Sequence, residues 1–490
     1  MKSVLRQYSG QCVAVAVVLA IGSSTLLAPW ALGADSAGPH GSIYTVHNES
    51  GMARTINVAG FPVVAESNPF FLDLGVNGRR CVTCHEPTNN MSVSAAGLRA
   101  RFEATDGTDP IFRTNDGSNS PLADVSTLEA RRTAYSMLLT KGLIRVGISI
   151  PANAEFELLS VHDPYGYAGN NANGNELSLF RRPLPSTNLV FLSTVMWDGR
   201  ETFQKGSSAA IHFDLVDQAN SATRGHAQAP SPIDQATRDA IFAYETTLYT
   251  AQVFDRTAGD LSAAGAQGGP ETLSLQPFMF GGNDPLGCNA SGANCDPQNA
   301  TFNPIVFTEF DAWASLTRTG RNRARAAIAR GQDLFNTLPI RITNVSGIND
   351  DFNAPVVVGS CTTCHDTPHA GDHSAPAPLN IGIADPPVGA DGLNASGLAI
   401  GDMPVYTLRN KTTGEIKVVT DPGRALITGK WKDVGRFKGP ILRGLAGRAP
   451  YFHNGSAATL AHAVKFYDTR FNLNLTEQQK DDLIAFLRSL

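Results

Sequence analysis

Cys81-Val82-Thr83-Cys84-His85 and Cys361-Thr362-Thr363-Cys364-His365 repeat one pattern: two cysteines separated by two residues and followed at once by histidine. This spacing lets both thiols form thioethers to a single haem and brings the histidine to its iron. His85 and His365 are therefore the expected proximal ligands. Cys81, Cys84, Cys361 and Cys364 are the expected attachment points of two haem c groups. Composition alone predicts about 0.002 such motifs in this chain, which has two. Two other chemistries use cysteine pairs. A CxxC redox site does not require the histidine, and a zinc site needs two more ligands, which His369 and His373 offer at the second motif.

Working outward, each motif follows an apolar segment. Pro69-Phe70-Phe71-Leu72 precedes the first, and a stretch from Arg323 to Phe335, with Ala326, Ile328, Ala329 and Leu334 near helical spacing, precedes the second. The chain ends in an amphipathic helix that Thr476 and Gln479 open as a capping box, with Leu483, Phe486, Leu487 and Leu490 on one face. Stretches rich in Gly, Asn, Pro and Ser, at 163–175, 258–270 and 281–303, read as loops. The expected fold is mainly α, with two cytochrome c-like haem domains carrying long loop insertions: an N-terminal one over 35–315 and a C-terminal one over 316–490.

The first 34 residues read as an export signal: Lys2 and Arg6, then an apolar run from Cys12 to Ala20, then Ala31-Leu32-Gly33-Ala34. Gly22-Ser23-Ser24 and Pro29 break that run below the roughly 20 apolar residues of a span, so no stable membrane span is expected. The expected location is the periplasm. There Cys288 and Cys295 are the remaining pair for a disulfide, once Cys12 leaves with the signal. The other 456 residues leave room for large cores, and a net charge of −5 gives no reason to expect nucleic acid as a partner.

The segment Phe437-Lys438-Gly439-Pro440 through Ala449-Pro450-Tyr451-Phe452-His453-Asn454-Gly455 to Phe466-Tyr467 resembles the C-terminal signature of bacterial dihaem cytochrome c peroxidases and their relative MauG. Met196-Trp197-Asp198-Gly199-Arg200, followed by Asp217-Gln218-Ala219, is similar to that family too. The resemblance implies that Trp197 lies between the haems and couples them; the plain alternative is a core indole. It also implies a distal ligand fourteen residues after His453, a methionine in the peroxidases. Here that residue is Tyr467, as in MauG-like members, with Met403 as the competing ligand.

Where the family carries an acid near the first haem, this chain has Ser221-Ala222-Thr223-Arg224-Gly225-His226. His226 is the candidate acid/base for peroxide, with iron ligation or a surface position as alternatives. His162 and His212 are weaker candidates. The family also binds calcium, partly through carbonyls that correspond to Arg448 and Pro450. Its upstream asparagine is missing from Arg181-Arg182-Pro183-Leu184, which makes calcium doubtful.

The function these residues imply is peroxide (or oxygen) chemistry at the His85 haem, with electrons relayed through the His365 haem. The donor is a small electron-donor protein or an organic or protein substrate. Two other classes stay open: a dihaem electron carrier with both irons six-coordinate, and a dihaem oxygenase acting on an organic substrate.

Overall fold

Several segments between the two motifs alternate with a period of two rather than the helical 3.6, and they form strands. The computed structural model describes residues 41–168, 176–203, 208–278, 280–286, 301–317 and 319–490. The export signal and the Cys288/Cys295 pair lie outside these residues, as do most of the loop expected over 281–303 and the second half of that over 163–175.

Ile144–Ser149 pairs antiparallel with Glu176–Arg181, Ile144 opposite Arg181. Phe156–His162 pairs with Val405–Asn410, which pairs in turn with Ile416–Val419. A four-stranded sheet runs in the order Ile43–Asn48, Gly51–Asn57, Leu248–Asp255, Gly259–Asp260. Among the described residues 30% are helical and 17% lie in strands or bridges. The expectation of a mainly α fold is therefore corrected to a mixed one. Val, Ile, Leu and Phe alternate in short runs between turn residues, a strand signal that the mainly α expectation left out.

Both helices expected near the ends of the second half are present. Arg321–Thr337 spans the first, and Glu477–Arg488 starts at Thr476, whose side chain accepts from the Gln479 amide. The two cross so closely that a Cβ on Gly331 would lie 1.9 Å from the Asp482 carbonyl oxygen, so only glycine fits there. Arg330 closes the contact on Asp482 at 2.7 Å. Phe307, Phe335 and Phe486 meet at centroid distances of 5.3 to 5.6 Å beneath this crossing. Such aromatic pairs contribute about 0.5–1.5 kcal/mol each beyond their burial.

Residues from both sides of position 315 share cores and sheets. Ala154, Phe156, Leu177 and Leu179 pack with Tyr406, Leu408, Leu426 and Trp431, and Ala34–Leu490 forms one compact unit. The two motif-bearing halves are thus joined through the strand pair Phe156–His162 and Val405–Asn410. No helix among the described residues is long and apolar enough to cross a membrane.

Candidate haem sites

Both motifs fold as the same short 3-10 turn, Cys81–Thr83 and Cys361–Thr363. The sequence reason is the threonine before the second cysteine. Thr83 Oγ1 accepts the Arg80 amide at 2.9 Å, and Thr363 Oγ1 accepts the Ser360 amide at 3.0 Å. The following histidine amide then bonds back to the first cysteine, at 3.0 Å for His85 and 3.1 Å for His365. Each turn delivers two thiols and an imidazole to one cavity, of about 1480 Å³ at the first motif and about 1500 Å³ at the second, part of each open to solvent.

In each motif histidine the Nδ1 is already engaged. His85 Nδ1 lies 3.0 Å from Ser186 Oγ and 3.3 Å from the Met91 carbonyl, and His365 Nδ1 lies 2.6 Å from the Gly371 carbonyl. Such anchoring leaves Nε2 for a metal and orients the ring. Burial pushes His85 down to about 4 and lowers His365 as well, so both stay neutral, the form that ligates. Two thiols, one anchored imidazole and a largely apolar cavity at each motif fit a covalently held haem.

The rival cysteine chemistries fit less well. Burial pushes Cys84 up to about 11 and Cys361 and Cys364 to about 12, whereas a CxxC redox site needs a stabilised thiolate. His369 turns to Glu309 at 3.3 Å and His373 to Asp366 at 2.6 Å. The one cluster of three potential metal ligands among the described residues is Asp284, Asp366 and His373, which contains no cysteine.

The first cavity is edged with charge. Leu215, Gln218, Ala219, Ala222 and Thr223 line it from one face of the helix Ser208–Gly225, and His226 continues that face just past the helix end. His226 Nδ1 meets Asp116 Oδ2 at 2.5 Å with the imidazole 36% exposed, so His226 is in the cavity with His85. Asp116 is buried and also pairs with Arg79, which is fixed by the Pro110 and Ile111 carbonyls at 2.8 and 2.6 Å. Burial works against the Asp116 carboxylate, but His226 and Arg79 outweigh it and hold Asp116 below the usual range. Glu245 lies in the same cavity, where burial pushes it up to about 7 against the opposing hydrogen bond from Ser186.

The sequence did not single out Asp116 or Glu245. Neither sits in a motif, and each is brought to the cavity only by the fold. His162 ends a strand, and His212 rests on the Phe242 ring at 3.9 Å; neither lines a haem cavity.

The second cavity is walled mainly by aliphatic and aromatic side chains, most of them from the C-terminal half. Tyr467 is on its wall, flanked by Phe466 and Phe452, and burial raises its phenol well above the usual range. Met403 is absent from that wall and packs instead with Phe180, Ile400 and Phe466. His453 stacks on Phe437 at 3.8 Å with neither ring nitrogen hydrogen-bonded, and burial pushes it down to about 3.

Trp197 lines both cavities, as does Lys438. The indole Nε1 donates to the Arg182 carbonyl at 2.8 Å, and its ring meets His453 edge-on at 6.1 Å. The loop around Trp197 is locked by Arg181, which bonds Asp198 at 2.5 Å and Asp421 at 2.8 and 3.0 Å.

No family model matches the chain. It is 31% identical over 241 residues to the cytochrome-c peroxidase IdrP1 of Pseudomonas sp. (strain SCT), covering 45% of this chain and 54% of that one. It is 28% identical over 242 residues to IdrP1 of Denitromonas iodatirespirans, with the same coverage. A shorter stretch of 79 residues is 43% identical to the cytochrome c peroxidase Ccp of Escherichia coli (strain K12), covering 16% of this chain and 17% of that one. The chain thus spans about half the length of the first two relatives. A solved MauG-like protein associated with microbial copper homeostasis aligns over 65% of this chain and 75% of its own at a TM-score of 0.32 and 18% identity, too loosely to bear on the fold. In the matched segments the chain is thus similar to bacterial cytochrome c peroxidases, and its two motif cavities are suited to haem.

Proposed function

We propose that the chain is an exported, periplasmic dihaem oxidoreductase that reduces hydrogen peroxide at the His85 site with electrons that enter at the His365 site. The observation that carries this reading is that Trp197 walls both CxxCH cavities, which gives the two sites a shared aromatic contact. Covalent haem in each cavity would supply the redox-active iron. The overall reaction takes one hydrogen peroxide, two electrons and two protons to two waters. The donor is a small electron-transfer protein or an organic substrate.

Proton handling falls to this chain's own residues. His226, which lines the cavity and is oriented by Asp116 through Nδ1, takes a proton from peroxide and returns it to the leaving oxygen. Arg79 keeps Asp116 ionised, so the imidazole keeps its tautomer. Among the described residues the largely apolar second cavity has no imidazole–carboxylate pair on its wall, and it suits electron passage.

Tyr467 favours a second reading, in which oxidising equivalents held at the His365 site act on an organic or protein substrate in the MauG manner. Its hydroxyl has no hydrogen-bond partner among the described residues and shares the cavity with His365, and a phenolate ligand would stabilise oxidised iron.

The ferric spectrum of the purified protein, followed by peroxide consumption with a reduced cytochrome, tests both readings. A high-spin component and cytochrome-dependent consumption are expected of a peroxidase. Peroxide-driven spectral change without use of the cytochrome would move the assignment to the MauG-like reading. Two low-spin irons inert to peroxide, even after half-reduction, would contradict both.

A further inference from the structure

Arg182 is a cation held entirely by backbone carbonyls. The residue is 6% exposed, and its guanidinium donates from Nη1 to Lys141 O at 2.9 Å and from Nη2 to Val93 O at 2.7 Å and Arg448 O at 3.0 Å. Gly142 allows this approach: it has φ +63°, and a Cβ there would lie 2.4 Å from Arg182 Nη1. Among the described residues no carboxylate bonds it. Burial, and then the second guanidinium at Arg448, lower Arg182 to about 10. A buried cation persists only when its donors are satisfied, so the three carbonyls form a site specific for positive charge.

Those carbonyls come from three separated segments: the chain just after the first motif, the end of the helix Ser136–Lys141, and the C-terminal stretch before Pro450. The main chain of the same residue makes two more ties. Arg182 N donates to His453 O at 2.7 Å, and Arg182 O accepts Trp197 Nε1 at 2.8 Å. One residue therefore fixes the indole that walls both cavities and the backbone of the histidine that meets it edge-on.

Calcium, which the family resemblance implies, does not fit here. Its expected carbonyl at Arg448 is taken by a guanidinium, and Arg182 stands where a hard cation would want an oxygen. We infer that Arg182 is a built-in organic cation that stands in place of a metal, ties these three segments together and acts as the positioning residue for Trp197. The inference rests on the reading of Trp197 as the conduit between the haems.

The test uses the full haem-loaded protein, dialysed against a chelator, with calcium content measured and electron exchange between the haems timed after partial reduction. The wild type is expected to hold no stoichiometric calcium, and its exchange rate is expected to stay unchanged with chelator or added calcium chloride. Arg182→Gln should slow exchange by about tenfold or more with both haems attached, since misplacement on the order of 1 Å can cost on the order of a hundredfold. Arg182→Lys, which restores the charge but not the fork, should recover part of that loss. If the Gln variant fails to load haem, the Lys variant against wild type carries the test. Stoichiometric calcium whose removal slows the wild type would overturn the inference. So would wild-type exchange in Arg182→Gln, or in Arg182→Lys where that variant carries the test, alongside slow exchange in Trp197→Phe. Wild-type exchange in Trp197→Phe itself would instead bring down the conduit reading.

Discussion

The two cavities are built on the same turn and have nearly the same volume, yet their walls differ in kind. The His85 cavity gathers Arg79, Asp116, His226 and Glu245, whereas the His365 cavity is aliphatic and aromatic, with Tyr467 and His453 among its few polar groups. The CxxCH turn fixes what each cavity can hold, and the walls decide what happens there. Charged surroundings suit proton transfer; apolar, aromatic ones suit electron transfer.

The largest expected effect follows from that contrast. His226→Ala should slow the reaction with peroxide by about 10²–10⁴-fold, the usual worth of a positioned acid/base, while both haems stay attached. Unchanged peroxide kinetics in a stopped-flow trace would remove His226 from the chemistry. Asp116→Asn should cost less, about 10–100-fold, because it removes the partner that orients the imidazole. A loss as large as that of His226→Ala would make Asp116 a participant in its own right.

Tyr467→Phe sharpens the comparison from the other side. It should alter one haem's spectrum and raise that haem's potential by on the order of 0.1 V, within the roughly 0.8 V that axial ligands command. A redox titration with neither haem changed would leave the phenol as a packing residue.

The smallest effect concerns Glu245. Burial raises it to about 7, above its ordinary 4.5, so the folded protein holds this proton more tightly than the unfolded chain. The stabilisation linked to it is fully present below about pH 4.5 and is lost as pH rises through about 7. Glu245→Gln should therefore match the wild type in acid and exceed it above pH 7, by on the order of 1–3 kcal/mol in denaturant titrations. Equal stability at both pH values would show that Glu245 titrates as in the unfolded chain.

Local chemistry made part of this legible from sequence. The cysteines, the motif histidines and the capped terminal helix each announce themselves within five residues or one helical turn. Trp197 and Tyr467 were reachable because family motifs surround them; Trp197 lines both cavities and Tyr467 the second. The strands were missed because their alternating runs are short and set among glycines. Pairings such as Phe156 with Asn410 join residues more than two hundred positions apart, which no local pattern encodes. Asp116 and Glu245 escaped for the same reason: each gains its meaning from a partner brought in by tertiary folding. Arg182 was visible only as the wrong residue for calcium, and its carbonyl cradle appears once three distant segments meet.

The claim most open to direct test is that the two sites are unequal and joined through Trp197. Stopped-flow spectroscopy of the half-reduced protein mixed with peroxide, for wild type and Trp197→Phe, addresses it. In the wild type the His85 haem should react first and the His365 haem be oxidised in step with it; in the variant the first event should persist while the second lags by about tenfold or more. Simultaneous oxidation of both haems in Trp197→Phe, or first reaction at the His365 haem, would contradict the account.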